Sequence, residues 1–117
     1  MKVYNFQELI VWQRSMKLVE DTYKLIRKLP DVERFALGDQ MRRCSVSIPS
    51  NIAEGQKRLN VKETIQFSGI ALGSLGELQT QLLLSRNLYS IDTDQLVEEC
   101  EQITKMLTAL IRSLRSK

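Results

Sequence analysis

Gln40-Met41-Arg42-Arg43-Cys44-Ser45-Val46-Ser47-Ile48-Pro49-Ser50-Asn51-Ile52-Ala53-Glu54-Gly55 carries two periodic rows at once, and their spacing decides the fold. At about 100° per residue, Leu37, Met41, Cys44, Ile48 and Ile52 align as the apolar stripe of a helix. Arg43, Ser47, Asn51, Glu54 and Arg58 form a second row, rotated by roughly 100° from the first. Ser and Asn are mediocre helix formers, and a freely solvated face favours long charged side chains instead. Small polar groups between an arginine and a glutamate therefore predict a half-buried network or a contact surface.

Working outward, the 117 residues suit one domain over 1–117, large enough to bury a core without metal or disulfide staples. Two prolines and five glycines, beside 43% hydrophobic and 26% charged residues, predict an ordered helical chain. No stretch approaches the ~18 apolar residues of a membrane span. The N-terminal run MKVYNFQELI lacks the basic-then-apolar plan of a signal peptide, so a cytoplasmic location is expected. With no histidine, a zinc site and His-based acid/base catalysis are excluded, and neither metal nor cofactor is expected. Cys44 and Cys100 fall in apolar stripes and read as buried thiols, with a disulfide or a reactive thiol as the other possibility.

Four helices account for the chain. The first is expected from Gln7 to just before Pro30, with Leu9, Trp12, Met16, Val19, Tyr23 and Ile26 as its apolar face. Val11, Leu18 and Leu25 make a second row at heptad spacing, for which a single bundle has no evident use. The second helix is expected from Val32 or Glu33 to a stop at Gly55, kinked or locally broken at Pro49, with Ser45 and Ser47 covering the freed carbonyls. Asn60 and Glu63 read as a capping box opening a third helix, Val61 to Leu88. It carries the rows Ile65/Gly69/Leu72/Gly76/Leu83 and Phe67/Ala71/Leu75/Leu78/Leu82. Gly69, Gly73 and Gly76 inside it each weaken the helix by about 1 kcal/mol against Ala, so a neighbouring backbone is expected to close in there. Asp92 or Thr93 caps the fourth helix, whose apolar face is Leu96, Cys100, Ile103, Leu107, Leu110 and Leu114. Short connections between long helices predict an all-α, antiparallel up-down-up-down four-helix bundle. The extra rows Val11/Leu18/Leu25 and Phe67/Ala71/Leu75/Leu78/Leu82 predict a homo-oligomer, since a second apolar face needs a partner subunit.

Candidates for chemistry are few. Ser45, Ser47 and Ser50 have no histidine to activate them. Glu54 and Glu77, set among apolar positions, are expected to pair with Arg42, Arg43, Arg58 or Arg86 rather than to act as acid or base. No enzymatic activity is expected.

Phe6-x-x-Leu9-x-Val11-Trp12-Gln13, the whole Gln40–Gly55 run, Glu77-Leu78-Gln79-Thr80-Gln81-Leu82 and Met106-Leu107-x-x-Leu110-Ile111-x-x-Leu114 occur in order. In these the chain resembles the bacterial four-helix bundle proteins encoded within intervening sequences of 23S ribosomal RNA genes, often labelled ribosomal proteins. Arg42-Arg43, Ser47-Ile48 and Asn51-Ile52-Ala53-Glu54-Gly55 are the most specific part. Cys44-Ser45 stands where the family favours small alanines, and Gly76 where Ala is usual. The resemblance implies a homopentamer with no established enzymatic activity. A related bundle, the accessory variability determinant of diversity-generating retroelements, is a similar basic pentamer that binds nucleic acid.

Two readings follow. In one, the oligomer binds RNA or DNA through a basic surface; in the other it is a protein-interaction scaffold that binds no nucleic acid. Residues 1–60 hold eleven Lys/Arg against seven acids, which leaves the rest of a +3 chain at −1. Such a bias is compatible with a polyanionic partner. Lys17, Lys24, Lys28, Lys57 and Arg58 are the candidate nucleic-acid-binding residues. Arg42, Arg43, Ser47, Asn51, Glu54 and Gly55 are the candidate subunit contact.

Overall fold

The computed structural model describes residues 5–116. Four helices make up the fold: α1 (Ile10–Ile26), α2 (Leu37–Lys57), α3 (Val61–Tyr89) and α4 (Asp94–Arg115), with 3-10 turns at Phe6–Glu8 and Asp31–Glu33 and no strand among the described residues. The helices lie along a body of 47 × 20 × 20 Å. α1 packs on α2 and α4, and α3 packs on α2 and α4, closing a ring of four seams.

Specific side-chain contacts mark three of these seams. From its first turn to its last, α2 meets α3 through Met41 with Ser85, Ser47 with Ser74, and Gly55 with Thr64. At one end α3 meets α4 through Arg86 and Asp94; at the other, Ile65 and Gly69 share a groove with Arg112 and Arg115. On the α1–α4 seam, Arg14 donates from Nε and Nη2 to the two carboxylate oxygens of Glu99, at 2.8 and 2.6 Å.

The core reverses the expected assignment of faces on two helices. On α1 the buried row is Val11, Leu18 and Leu25, interleaved by fully buried Ser15 and Thr22. Trp12 and Val19 are half-buried, while Met16 and Tyr23 are 38% and 39% exposed. The row that a single bundle was not expected to use is the core of that bundle; of the bulky row Ile26 joins that core, Leu9 and Trp12 pack against its edge, and Met16 and Tyr23 face outward. A 4-3-4-3 spacing from Val11 to Leu25 keeps one seam against neighbouring helices. Small Ser15 and Thr22 let those helices approach, and the Ser15 hydroxyl is satisfied by the Val11 carbonyl at 2.7 Å. On α3, likewise, Ala71, Leu75, Leu78 and Leu82 are fully buried in the subunit's own core. Ile65, Leu72 and Leu83 are only half-buried. Apart from half-buried Phe67, which lies under the Arg58 guanidinium, the two extra rows are thus internal, and neither argues for a partner.

α1 starts later than expected because Asn5 caps a separate 3-10 turn through its side-chain oxygen and Leu9 is extended. α2 starts at Leu37, not Val32 or Glu33, because Asp31–Glu33 forms its own turn. The Tyr89 hydroxyl, donating to the Glu33 carboxylate, ties that turn to the end of α3. Pro49 is buried and α2 runs through it unbroken. The proline deprives the Ser45 carbonyl of its partner. Ser45 and Ser47 cover other carbonyls, those of Arg42 and Cys44.

Gly55 lies inside α2, which continues to Lys57, so it is a point of close approach instead of a stop. A Cβ there would stand 3.1 Å from Phe67 Cβ and 3.2 Å from the Thr64 carbonyl oxygen. Gly69, Gly73 and Gly76 show the reverse: an added Cβ meets nothing within 4 Å, so no backbone among the described residues closes in on them. Asn60 caps α3 by accepting from the Glu63 N–H at 2.8 Å, as its capping box requires. Ser90, in the left-handed region at φ 56°, closes it. α4 buries Cys100, Ile103, Leu107 and Leu114 as expected, with Ile111 deeper than Leu110.

Candidate subunit and nucleic-acid interfaces

The polar row of α2 is half-buried, and its partner is α3 of the same chain. The Ser47 hydroxyl lies 2.5 Å from the Ser74 hydroxyl, and Asn51 Nδ2 donates to the Ser47 carbonyl at 2.7 Å. Cys44 Sγ donates to the Ser74 carbonyl at 3.0 Å. Glu54 pairs with Arg58 at 2.7 Å, and the Arg58 guanidinium lies 4.6 Å from the centre of the Phe67 ring. Of the expected pairings this one forms. Glu77 makes no ion pair among the described residues and faces Cys44 Sγ at 3.6 Å instead. Arg42 pairs with Asp39 at 2.6 Å and reaches the Arg34 carbonyl, whereas Arg43 is exposed. Cys44, Ser47 and Gly55 therefore weld α2 to α3, Asn51 bonds back within α2, and Arg43 and half-exposed Glu54 keep surface on the outside.

An open apolar groove of about 380 Å³ runs between α1 and α2, lined by Phe6, Trp12, Met16, Val19, Val46 and Pro49 among others. Phe6 packs edge-on against Trp12 at 5.4 Å. The groove borders a second depression in which Tyr23 sits beside Arg42, Arg43 and Val46. Together they are a continuous apolar strip on the outside of the bundle, rimmed by arginine.

The five candidate cations do not form one patch. Lys17 is held by Asp21 at 2.9 Å. Lys24 and Lys28 line a groove with Asp92 and Asp94 at the start of α4. Lys57 and Arg58 close α2 at the opposite end of the bundle, about 30 Å away by the rise of that helix. The +4 bias of residues 1–60 is a property of the chain order and does not gather on one surface.

Both cysteines are free and buried. Burial, with Glu77 nearby, pushes the Cys44 thiol up to about 12; burial, with Glu99 and Glu101 nearby, does the same for Cys100. A thiol so protonated is not a nucleophile near neutral pH. No helix among the described residues is long and apolar enough to cross a membrane.

The family described as 23S rRNA-intervening sequence protein matches residues 7–109, nearly the whole chain. The chain belongs to that family. Among solved structures, it is similar to a protein of unknown function from the S23 ribosomal protein family of Bacteroides thetaiotaomicron. The two share 23% identity over 87% of this chain and 98% of that one, with a TM-score of 0.77, which establishes a common fold. No curated protein matches. Within the family motif, sequence reasoning missed the partners Ser74 and Thr64. Their signal was small polar residues on the α3 flank that faces Ser47 and Gly55.

Proposed function

We propose that this chain is a non-enzymatic homo-oligomer that binds RNA or DNA through its basic surface. The observation that carries the assembly is the strip Trp12–Met16–Val19–Tyr23 with Val46 outside the core. An apolar strip of this kind on a surface calls for a partner. It runs along α1 for about 16 Å, a length over which a helix of a second copy can seat. Five copies is the number that the resemblance implies, and a closed ring sets this strip against a different face of the next subunit. Arg43 and Glu54 belong to that contact as its exposed polar members. The opposed contacts along the seams support an up-down-up-down arrangement within each copy.

The absence of catalysis is supported by the two thiols, both buried and protonated, and by Ser45 and Ser47, whose hydroxyls are spent on main-chain carbonyls. The nucleic-acid reading is supported by the +3 charge, which a ring multiplies, so that weak phosphate contacts act together. The family description makes ribosomal RNA the first ligand to try. We place the protein in the cytoplasm. A scaffold without nucleic acid is favoured by one observation: Trp12 is engaged by Phe6 on the apolar strip and offers no base-stacking platform among the cations. Mobility shifts with 23S rRNA fragments and duplex DNA across a salt series, beside light scattering, decide between them. A pentamer mass with salt-sensitive binding is expected; a pentamer that binds neither ligand at low salt leaves the scaffold.

A further inference from the structure

We infer that the end of the bundle around the α2–α3 turn is the surface that meets the phosphate backbone, through Lys57, Lys62, Arg112 and Arg115. The inference rests on the nucleic-acid reading above and deepens it. Gly55 with Thr64 joins the end of α2 to the start of α3, and the groove shared by Ile65, Gly69, Arg112 and Arg115 joins the start of α3 to the end of α4. Five cations therefore converge there: Lys57, Arg58, Lys62, Arg112 and Arg115. Three acids oppose them, Glu8, Glu54 and Glu63, of which Glu54 is taken by Arg58 and Glu63 by the cap of α3. Lys57, Lys62, Arg112 and Arg115 make no ion pair among the described residues.

At the other end, residues 24–43 and 86–99 hold seven cations and seven acids, with Arg34, Arg42 and Arg86 already paired. Helix dipoles do not alter this contrast, because with opposed neighbours each end collects two N-termini and two C-termini. The surplus of positive charge is thus a property of one end.

Its layout suits a strand of phosphates. α2 and α4 stand at opposite corners of the ring of seams, so Lys57 and the Arg112/Arg115 pair lie across the 20 Å width of the bundle with Lys62 between them. That width spans about six steps at 3.4 Å per nucleotide. Arg112 and Arg115, three residues apart, share a helix face and carry the forked donors that grip phosphate oxygens. Leu59, at the tip of the turn and 99% exposed, stands between Lys57 and Lys62 as an aliphatic contact for sugar or base.

The test compares four proteins: wild type, K57E/K62E, R112Q/R115Q and K24Q/K28Q. Glutamine is used at 112 and 115 because an acid in the last turn would oppose the helix dipole. Light scattering and melting first establish that all four assemble alike. At 50 mM salt, each of the first two variants should bind a 23S rRNA fragment at least tenfold more weakly, and its salt slope should fall by about 1.5. K24Q/K28Q should stay within threefold of wild type. If wild type binds and the K24/K28 variant alone loses affinity, this inference fails while the nucleic-acid reading stands. If wild type binds nothing, both fail together. Polyglutamate of matched charge, or vesicles containing a quarter phosphatidylserine, binding as tightly as the RNA would overturn the assignment in favour of an acidic protein surface or a membrane.

Discussion

The Thr64 hydroxyl donates to the Gly55 carbonyl at 2.8 Å, where α2 and α3 lie so close that a Cβ at residue 55 would press on the Thr64 main chain. Gly55→Ala should therefore lower stability, by about 1–3 kcal/mol for overpacking. Urea denaturation reads the change. An unaltered midpoint would mean that α3 yields the few tenths of an ångström needed.

Gly73→Ala is the opposite case, since its added methyl meets open space. The gain in helix propensity should raise stability by about 0.5–1 kcal/mol. Loss of stability or of assembly instead would reveal that another chain covers that face of α3.

Exchanging the roles of the two α1 rows separates folding from assembly. Leu18→Ala, at a site with no exposure, should reduce the stability of the fold by about 2–5 kcal/mol. Met16→Glu should change the helical content little and shift the light-scattering mass toward the monomer. If Met16→Glu leaves the mass unchanged, the outer strip of α1 is not the subunit contact.

Alkali should weaken the fold through its thiols. Below about pH 8 both cysteines are almost wholly protonated whether folded or not, so they contribute no pH dependence there. Between 9 and about 12 the unfolded chain releases protons that the folded one retains, and stability falls as pH rises. The slope should be on the order of 1 kcal/mol per pH unit for each thiol. A Cys44→Ala/Cys100→Ala variant should show a flatter profile from pH 9 to 10.5. In the native wild type near pH 8, a thiol reagent should label neither cysteine; labelling without unfolding would contradict their burial.

Four helices, the cap at Asn60 and the stripe Met41/Cys44/Ile48/Ile52 were legible because each rests on local spacing. The inward face of α1 was not. Trp12, Met16, Val19 and Tyr23 are apolar at every step of a three-and-four spacing, whereas the inner row Val11, Ser15, Leu18, Thr22 and Leu25 is interrupted by two hydroxyl side chains. Packing chose the thinner row because Ser15 and Thr22 let the other helices come near, a gain that belongs to the neighbours and is invisible in α1 alone. The same holds for the candidate cations. Lys24 and Lys57 share a charge sign, but only the folding back of the chain sets them at opposite ends.

Arg14 and Glu99, 85 residues apart in the chain, hold the seam that closes the ring of helices. The other three seams join consecutive segments and need only short loops. Closing a loop of 85 residues instead of about 10 adds roughly 2 kcal/mol of lost chain entropy. On the ribosome the delay is also one of time: at 5–20 residues per second, Glu99 is made roughly 4–17 s after Arg14. Through that interval the inner row of α1 has only α2 as a neighbouring helix to shelter it, so the nascent N-terminal helix is the segment that a chaperone or a protease would meet first.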